Sequence, residues 1–127
     1  MWTAGELLEF KKKLEERTAD FAVSVFQGVD SLPLTTSSKV IAFQLGKSAS
    51  SVGANYREAN RAESPEDFVH KIGIALKECS ESIYWLTLLT KLHPDNVDFP
   101  GQIRECDELL RIFQTIRTKM HQRKASK

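Results

Sequence analysis

Gly46-Lys47-Ser48 has the letters that close a phosphate-binding loop, in which backbone N–H groups cradle phosphates and the lysine reaches their oxygens. That chemistry needs a further glycine five residues upstream, where this chain has Ile41. It also needs a strand before the loop, whereas the apolar spacing here puts the tripeptide inside a helix, so the reading is rejected. A di-metal site needs four carboxylates, with Glu-x-x-His on each of two helices. Only Asp67-x-x-His70 has acid-to-histidine spacing, since His93 and His121 follow Thr90 and Thr118 instead. Glu58, Glu78 and Glu81 could share a surface, but Lys47, Arg57, Lys71 and Lys77 offer counter-charges nearby. Ion pairs are the expectation there, and neither a metal nor another cofactor. Cys79 and Cys106 have no histidine close in sequence to activate them, so they read as reduced core thiols rather than nucleophiles. Asn55 interrupts an apolar seam, and its amide is expected to be buried and to fix helix register through hydrogen bonds. No catalytic group set emerges, and an enzyme is not expected.

The elements that hold these residues are helices. Ile41, Leu45, Ser48, Val52, Asn55, Ala59 and Ala62 recur at steps of four and three, and so do Phe68, Ile72, Ala75, Cys79, Ser82, Leu86 and Leu89. That period lays side chains along one stripe of an α-helix. A first helix is predicted from about Gly5 to Val29, with Leu7, Phe10, Leu14, Phe21, Val25 and Val29 on its stripe and Leu32-Pro33 closing it. Thr36, Ser37 or Ser38 can cap the second, which is predicted to run to about Ala62. Ser64-Pro65-Glu66-Asp67 opens the third: a capping serine, proline where its missing N–H costs little, and acids at the positive end of the helix dipole. His93-Pro94 ends it. A loop through Asn96 and Pro100-Gly101 leads to a fourth helix with Ile103, Cys106, Leu109, Leu110, Phe113, Ile116 and Met120. Strand signals are absent. Short loops between long helices favour antiparallel neighbours, so the expected fold is all-α, a single up-down-up-down four-helix bundle over residues 1–127.

Two outer faces are richer in apolar and small residues than solvent requires. Opposite the second helix's seam fall Lys39, Phe43, Gly46, Ser50, Gly53, Arg57 and Arg61. Glycine inside a helix costs about 1 kcal/mol relative to alanine, so two of them ask for close approach by another helix. On the third helix, Ile74, Tyr84, Trp85, Leu88 and Leu92 lie off the seam. Phe43, Gly46, Ser50, Gly53, Tyr84, Trp85 and Leu88 are therefore expected at a contact between copies of the chain.

The chain has 127 residues, 41% hydrophobic and 28% charged, with a net charge of +1. That is enough for one real core without disulfides. No window approaches the length of apolar chain a membrane span needs, and the opening MWTAGELLEFKKK has no secretory pattern. A cytoplasmic location without membrane association is expected. The charge is lopsided: Arg117, Lys119, Arg123, Lys124 and Lys127 form a basic tail over residues 117–127 that holds no acid, on a mildly acidic body. These five, with Lys39, Arg57 and Arg61, are the candidate phosphate contacts for RNA or DNA. Complementing a helix C-terminus is the simpler role for the tail.

A longer string has a family likeness. Ser48-x-x-Ser51-Val52-Gly53-Ala54-Asn55-x-x-Glu58-Ala59 is followed by Asp67-Phe68-x-x-Lys71, then by Ile74-Ala75-Leu76-Lys77-Glu78-x-x-Glu81-x-x-Tyr84-Trp85-Leu86. Together these resemble the four-helix bundle proteins encoded within intervening sequences of bacterial 23S ribosomal RNA genes. The likeness is strong over the second and third helices and only a matter of pattern over the outer two. It implies an up-down bundle assembling into a ring-like homopentamer. It also implies a relation to the accessory variability protein of diversity-generating retroelements, a basic pentameric barrel that binds nucleic acid and a reverse transcriptase.

The expected function is that of a non-enzymatic, self-associating bacterial bundle. Its expected partners are RNA or DNA and a nucleic-acid-processing protein. The alternative is a protein–protein scaffold that binds no nucleic acid.

Overall fold

Thr3 opens the first helix with a reciprocal cap. Its hydroxyl accepts the Glu6 N–H, and the Glu6 carboxylate accepts the Thr3 N–H, each at 3.0 Å. The computed structural model describes residues 1–125, with the side chains of the last two left aside. Its elements are α1 (Ala4–Asp30), α2 (Thr36–Ala59), α3 (Pro65–Leu92) and α4 (Asp98–Ala125), with no strand among the described residues.

The boundaries follow capping chemistry and differ from the sequence expectation in three places. Thr35, not a residue after it, caps α2: its hydroxyl accepts the Ser38 N–H at 3.2 Å, and Ser38 Oγ accepts the Thr35 N–H at 3.0 Å. Four consecutive hydroxyl residues made the choice ambiguous in sequence. The helix also stops three residues short of Ala62, in a turn where the Arg61 and Ala62 N–H groups reach the Glu58 and Ala59 carbonyls. Finally, α4 starts at Asp98, so Pro100 and Gly101 lie inside its first turn rather than in the loop. Proline loses nothing there, because an N–H in that turn has no helical partner. Ser64 caps α3 as expected, accepting the Asp67 N–H at 3.0 Å.

Each helix packs on its chain neighbours, most extensively α2 on α3 and α3 on α4, and α4 closes back on α1 more lightly. This is the four-helix bundle, with α1 and α3 running against α2 and α4. Both α2 and α3 seams are buried along nearly their whole length, and α1 and α4 add Leu14, Phe21, Val25, Phe99, Leu109 and Phe113. A fully buried leucine or phenylalanine contributes roughly 1.5–3 kcal/mol relative to exposure. Tyr56 and Phe113 meet across the core with their rings tilted at 50°, 5.5 Å between centres.

Glycine sets the spacing of α1 and α2. A Cβ at Gly53 would lie 2.8 Å from Thr18 Oγ1 and 3.1 Å from Thr18 Cβ, and one at Gly46 would lie 2.8 Å from the Phe26 ring. The close approach that these two glycines demanded is therefore supplied by α1 of the same chain. Gly46 and Gly53 are buried inside the protomer, which corrects their placement on an outer face. An α-helix held between two neighbours buries an arc wider than one seam, and the two glycines occupy its second flank.

Candidate functional site

Up-down topology gathers chosen residues at the two ends of the bundle. One end holds the start of α1, the end of α2, the start of α3 and the end of α4; the other holds the reverse. Arg57, Arg61, Arg117, Lys119 and Arg123 all belong to the first end, where they are exposed. Lys39, exposed at the start of α2, belongs to the opposite end and does not join them. The side chain of Lys124 and all of Lys127 lie outside the described residues. Three cations that the sequence reading passed over, Lys11, Lys12 and Lys13, enter this end from α1. Their run of three lysines was the signal.

The basic end is not uniformly basic. Arg57 pairs with Glu15 at 3.4 Å, and Lys71 with Glu58 at 3.6 Å. Arg57, Arg61 and Lys71 line a shallow polar hollow together with Glu58, Glu63 and Asp67. Phosphate approaching there meets acids as well as cations, whereas Arg117 and Lys119 on α4 form no ion pair within the described residues.

The expected subunit-contact residues divide by burial. Phe43 is 70% exposed and Tyr84 56%, and Ser50 is exposed between Phe43 and Arg57 on the outer face of α2. Val40 (54%) and Leu92 (51%) extend the exposed apolar set near the same end of α2 and α3. Ser48 and Ser82 meet across α2 and α3, so Phe43 sits level with about Thr87, within a turn of Tyr84 and Leu88. Trp85 and Leu88, in contrast, are half-buried against the protomer's own core. Their off-seam positions point into the crevices beside α3, which makes them packing residues first.

The remaining chemistry-bearing groups are structural. Asn55 is half-buried, and its amide donates to the Ser51 carbonyl of its own helix at 2.8 Å. It joins no second helix, which corrects the expected register role. That role belongs to Ser48 and Ser82, fully buried with their hydroxyls 2.9 Å apart. Cys106 donates to the Cys79 carbonyl at 3.4 Å, and both cysteines are buried. The contact with Cys79, then burial, push the Cys106 thiol far up, so it stays protonated. Among the described residues no three His, Cys, Asp or Glu side chains are placed to hold a metal ion. None of the described helices is long and apolar enough to cross a membrane.

One polar link had no sequence signal. Arg17 of α1 grips Glu105 of α4 with two bonds of 2.7 and 2.8 Å and reaches Glu108 at 3.0 Å. These bonds raise the Arg17 pKa further, holding it charged. Residues so far apart in the chain show no spacing that announces a pair.

Residues 11–115 match the family model described as 23S rRNA-intervening sequence protein. A solved structure from Bacteroides thetaiotaomicron, described as a protein with unknown function from the S23 ribosomal protein family, is 30% identical with a TM-score of 0.70. The match covers 82% of this chain and 97% of that one. No curated protein matches the chain. Neither likeness indicates an enzymatic family.

Proposed function

Because the chain belongs to the 23S rRNA-intervening sequence protein family, we propose that it works as a non-enzymatic, self-associating bundle that contacts nucleic acid weakly and without reading sequence. The observation that carries the self-association is the exposed apolar set of Val40, Phe43, Tyr84 and Leu92 on α2 and α3. Large side chains left this open in water favour a partner surface, and a second copy offers the same surface. Five copies in a ring is the number the family resemblance implies.

The nucleic-acid contact is supported by the gathering of Arg61, Arg117, Lys119 and Arg123 at one end with Lys11 to Lys13. Repeated around an assembly, such clusters engage one strand together, and avidity multiplies a modest single contact. Phosphate contacts position a protein without reading bases. A cytoplasmic setting and a nucleic-acid-processing partner fit this reading. The second reading, a protein scaffold without nucleic acid, is favoured by one observation: the acids Glu15 and Glu58 already occupy Arg57 and Lys71.

Light scattering tests the first part. A mass several times the 14.4 kDa of one chain is expected, falling toward the monomer in Phe43→Glu and Tyr84→Glu. A parent chain that runs as a clean monomer sinks it. Titration of labelled RNA and DNA tests the second part, with binding expected at low salt, lost steeply as salt rises, and weakened in a chain ending at Ile116. No binding at low salt leaves the scaffold reading standing.

A further inference from the structure

The lightest seam of the bundle, between α1 and α4, opens at the basic end into a groove of about 930 Å³. Its floor is apolar: Phe10, Tyr56, Phe68, Ile112, Ile116 and Met120 line it, with Trp2 tilted against Phe10 at 4.9 Å between ring centres. Leu7 lines it as well and stays 43% exposed. Every charged residue of the lining is a cation, namely Lys11, Arg111, Lys119 and Arg123, of which Arg111 already bonds Asp107 of its own helix at 3.0 Å. Lys11 is half-buried and has no ion-pair partner among the described residues.

We infer that this groove is a docking site for an acidic amphipathic helix of a partner protein. Three features select that occupant. Two helices flank the groove with their seam open, and a third helix can lay its side chains between them, ridge into groove. The apolar floor accepts the i, i+3, i+4, i+7 anchors by which helices enter hydrophobic grooves. The cationic rim pairs with acids beside those anchors and repels a basic helix, which adds selectivity to attraction. From Arg111 to Arg123 the groove runs along α4 for about 18 Å at 1.5 Å per residue, the length of about twelve helical residues. This site is separate from the exposed apolar set on α2 and α3, so it does not depend on self-association.

The test uses fluorescence anisotropy of three dye-labelled helical peptides of about fourteen residues. One has leucine anchors flanked by glutamates, one has the same anchors flanked by lysines, and one scrambles the acidic sequence. The full chain should bind the first about tenfold or more tightly than either other. Leu7→Glu and Lys11→Glu should each weaken that binding about tenfold while circular dichroism and melting stay as in the parent. Equal binding of the lysine peptide, or binding untouched by both variants, overturns the proposal. So does loss of assembly in Leu7→Glu, which would place a second copy in the groove. Displacement of the acidic peptide by a leucine-free glutamate peptide at equal concentration also overturns it, since the apolar floor would then contribute nothing.

Discussion

Ser48 Oγ and Ser82 Oγ meet at 2.9 Å in the fully buried interface of α2 and α3. The pair is asymmetric. Ser48 also donates to the Leu45 carbonyl of its own helix, at 3.2 Å, whereas no other partner of the Ser82 hydroxyl is found among the described residues. The hydroxyl pair favours one register, because sliding either helix leaves the buried Ser82 hydroxyl unpaired while Ser48 keeps its own-helix carbonyl.

Ser48→Ala should therefore cost more than Ser82→Ala, about 1–3 kcal/mol, because it strands the Ser82 hydroxyl. The double variant should cost less than the two singles together, with a coupling of about 0.5–1.5 kcal/mol. Urea unfolding of the four proteins measures the cycle. Additive losses would show that the contact contributes nothing as a pair.

Three helical glycines should respond differently to alanine. Gly73 has nothing within 4 Å of an added Cβ, so Gly73→Ala should stabilise by about 0.5–1 kcal/mol through helix propensity. Gly53 faces Thr18, a short side chain locked to the Glu15 carbonyl at 2.9 Å, so Gly53→Ala should destabilise by about 1–3 kcal/mol. Gly46 faces Phe26, whose ring is 44% exposed and can swing outward. Its alanine variant should fall between them. Thermal melts rank the three, and a harmless Gly53→Ala would refute the close α1–α2 approach.

Glu78 predicts a pH effect. Burial, then the Glu81 carboxylate, push its pKa up, against the pull of Lys77 and Lys47. The folded chain thus holds this proton more tightly than the unfolded chain, and the contribution to stability declines as pH rises through the folded value. Glu78→Gln removes that decline. It should melt above the parent at neutral pH, with the gap closing as pH falls below the unfolded value near 4.5. A lower melting temperature at neutral pH would mean that Lys47 and Lys77 outweigh burial.

What the sequence made legible was whatever repeats at helical spacing. The α3 seam, the α2 seam as far as Ala59 except at Asn55, the Ser64 cap and the stop at His93 stand as read. Contacts between elements left weaker traces. The small size of Gly46 and Gly53 announced a close neighbour without saying whether it was another copy or α1. Phe99 and Gln102 are buried, yet the proline and glycine between them suggested a loop. Asn55 stood in the seam by spacing alone, yet it is half-buried and its amide bonds its own helix. Of the proposed interaction surfaces, the basic tail was visible as composition. The meeting of Lys11 with Lys119 across a groove required knowing which ends of the helices coincide.

The lightness of the α1–α4 seam has a kinetic meaning. Contacts between α1 and α2, α2 and α3, and α3 and α4 join chain neighbours through short turns, so each hairpin closes with little loss of chain entropy. The α1–α4 seam joins residues far apart in the chain, as Arg17 and Glu105, 88 positions apart, do. Folding speed falls with such separation, so this zip closes last and, on opening, parts first. Backbone amides of α1 should then exchange with solvent through a sub-global opening that spares α2, α3 and α4. Such an opening, which must also break the α1–α2 contact, would leave a three-helix body with the turn after Asp30 as its hinge.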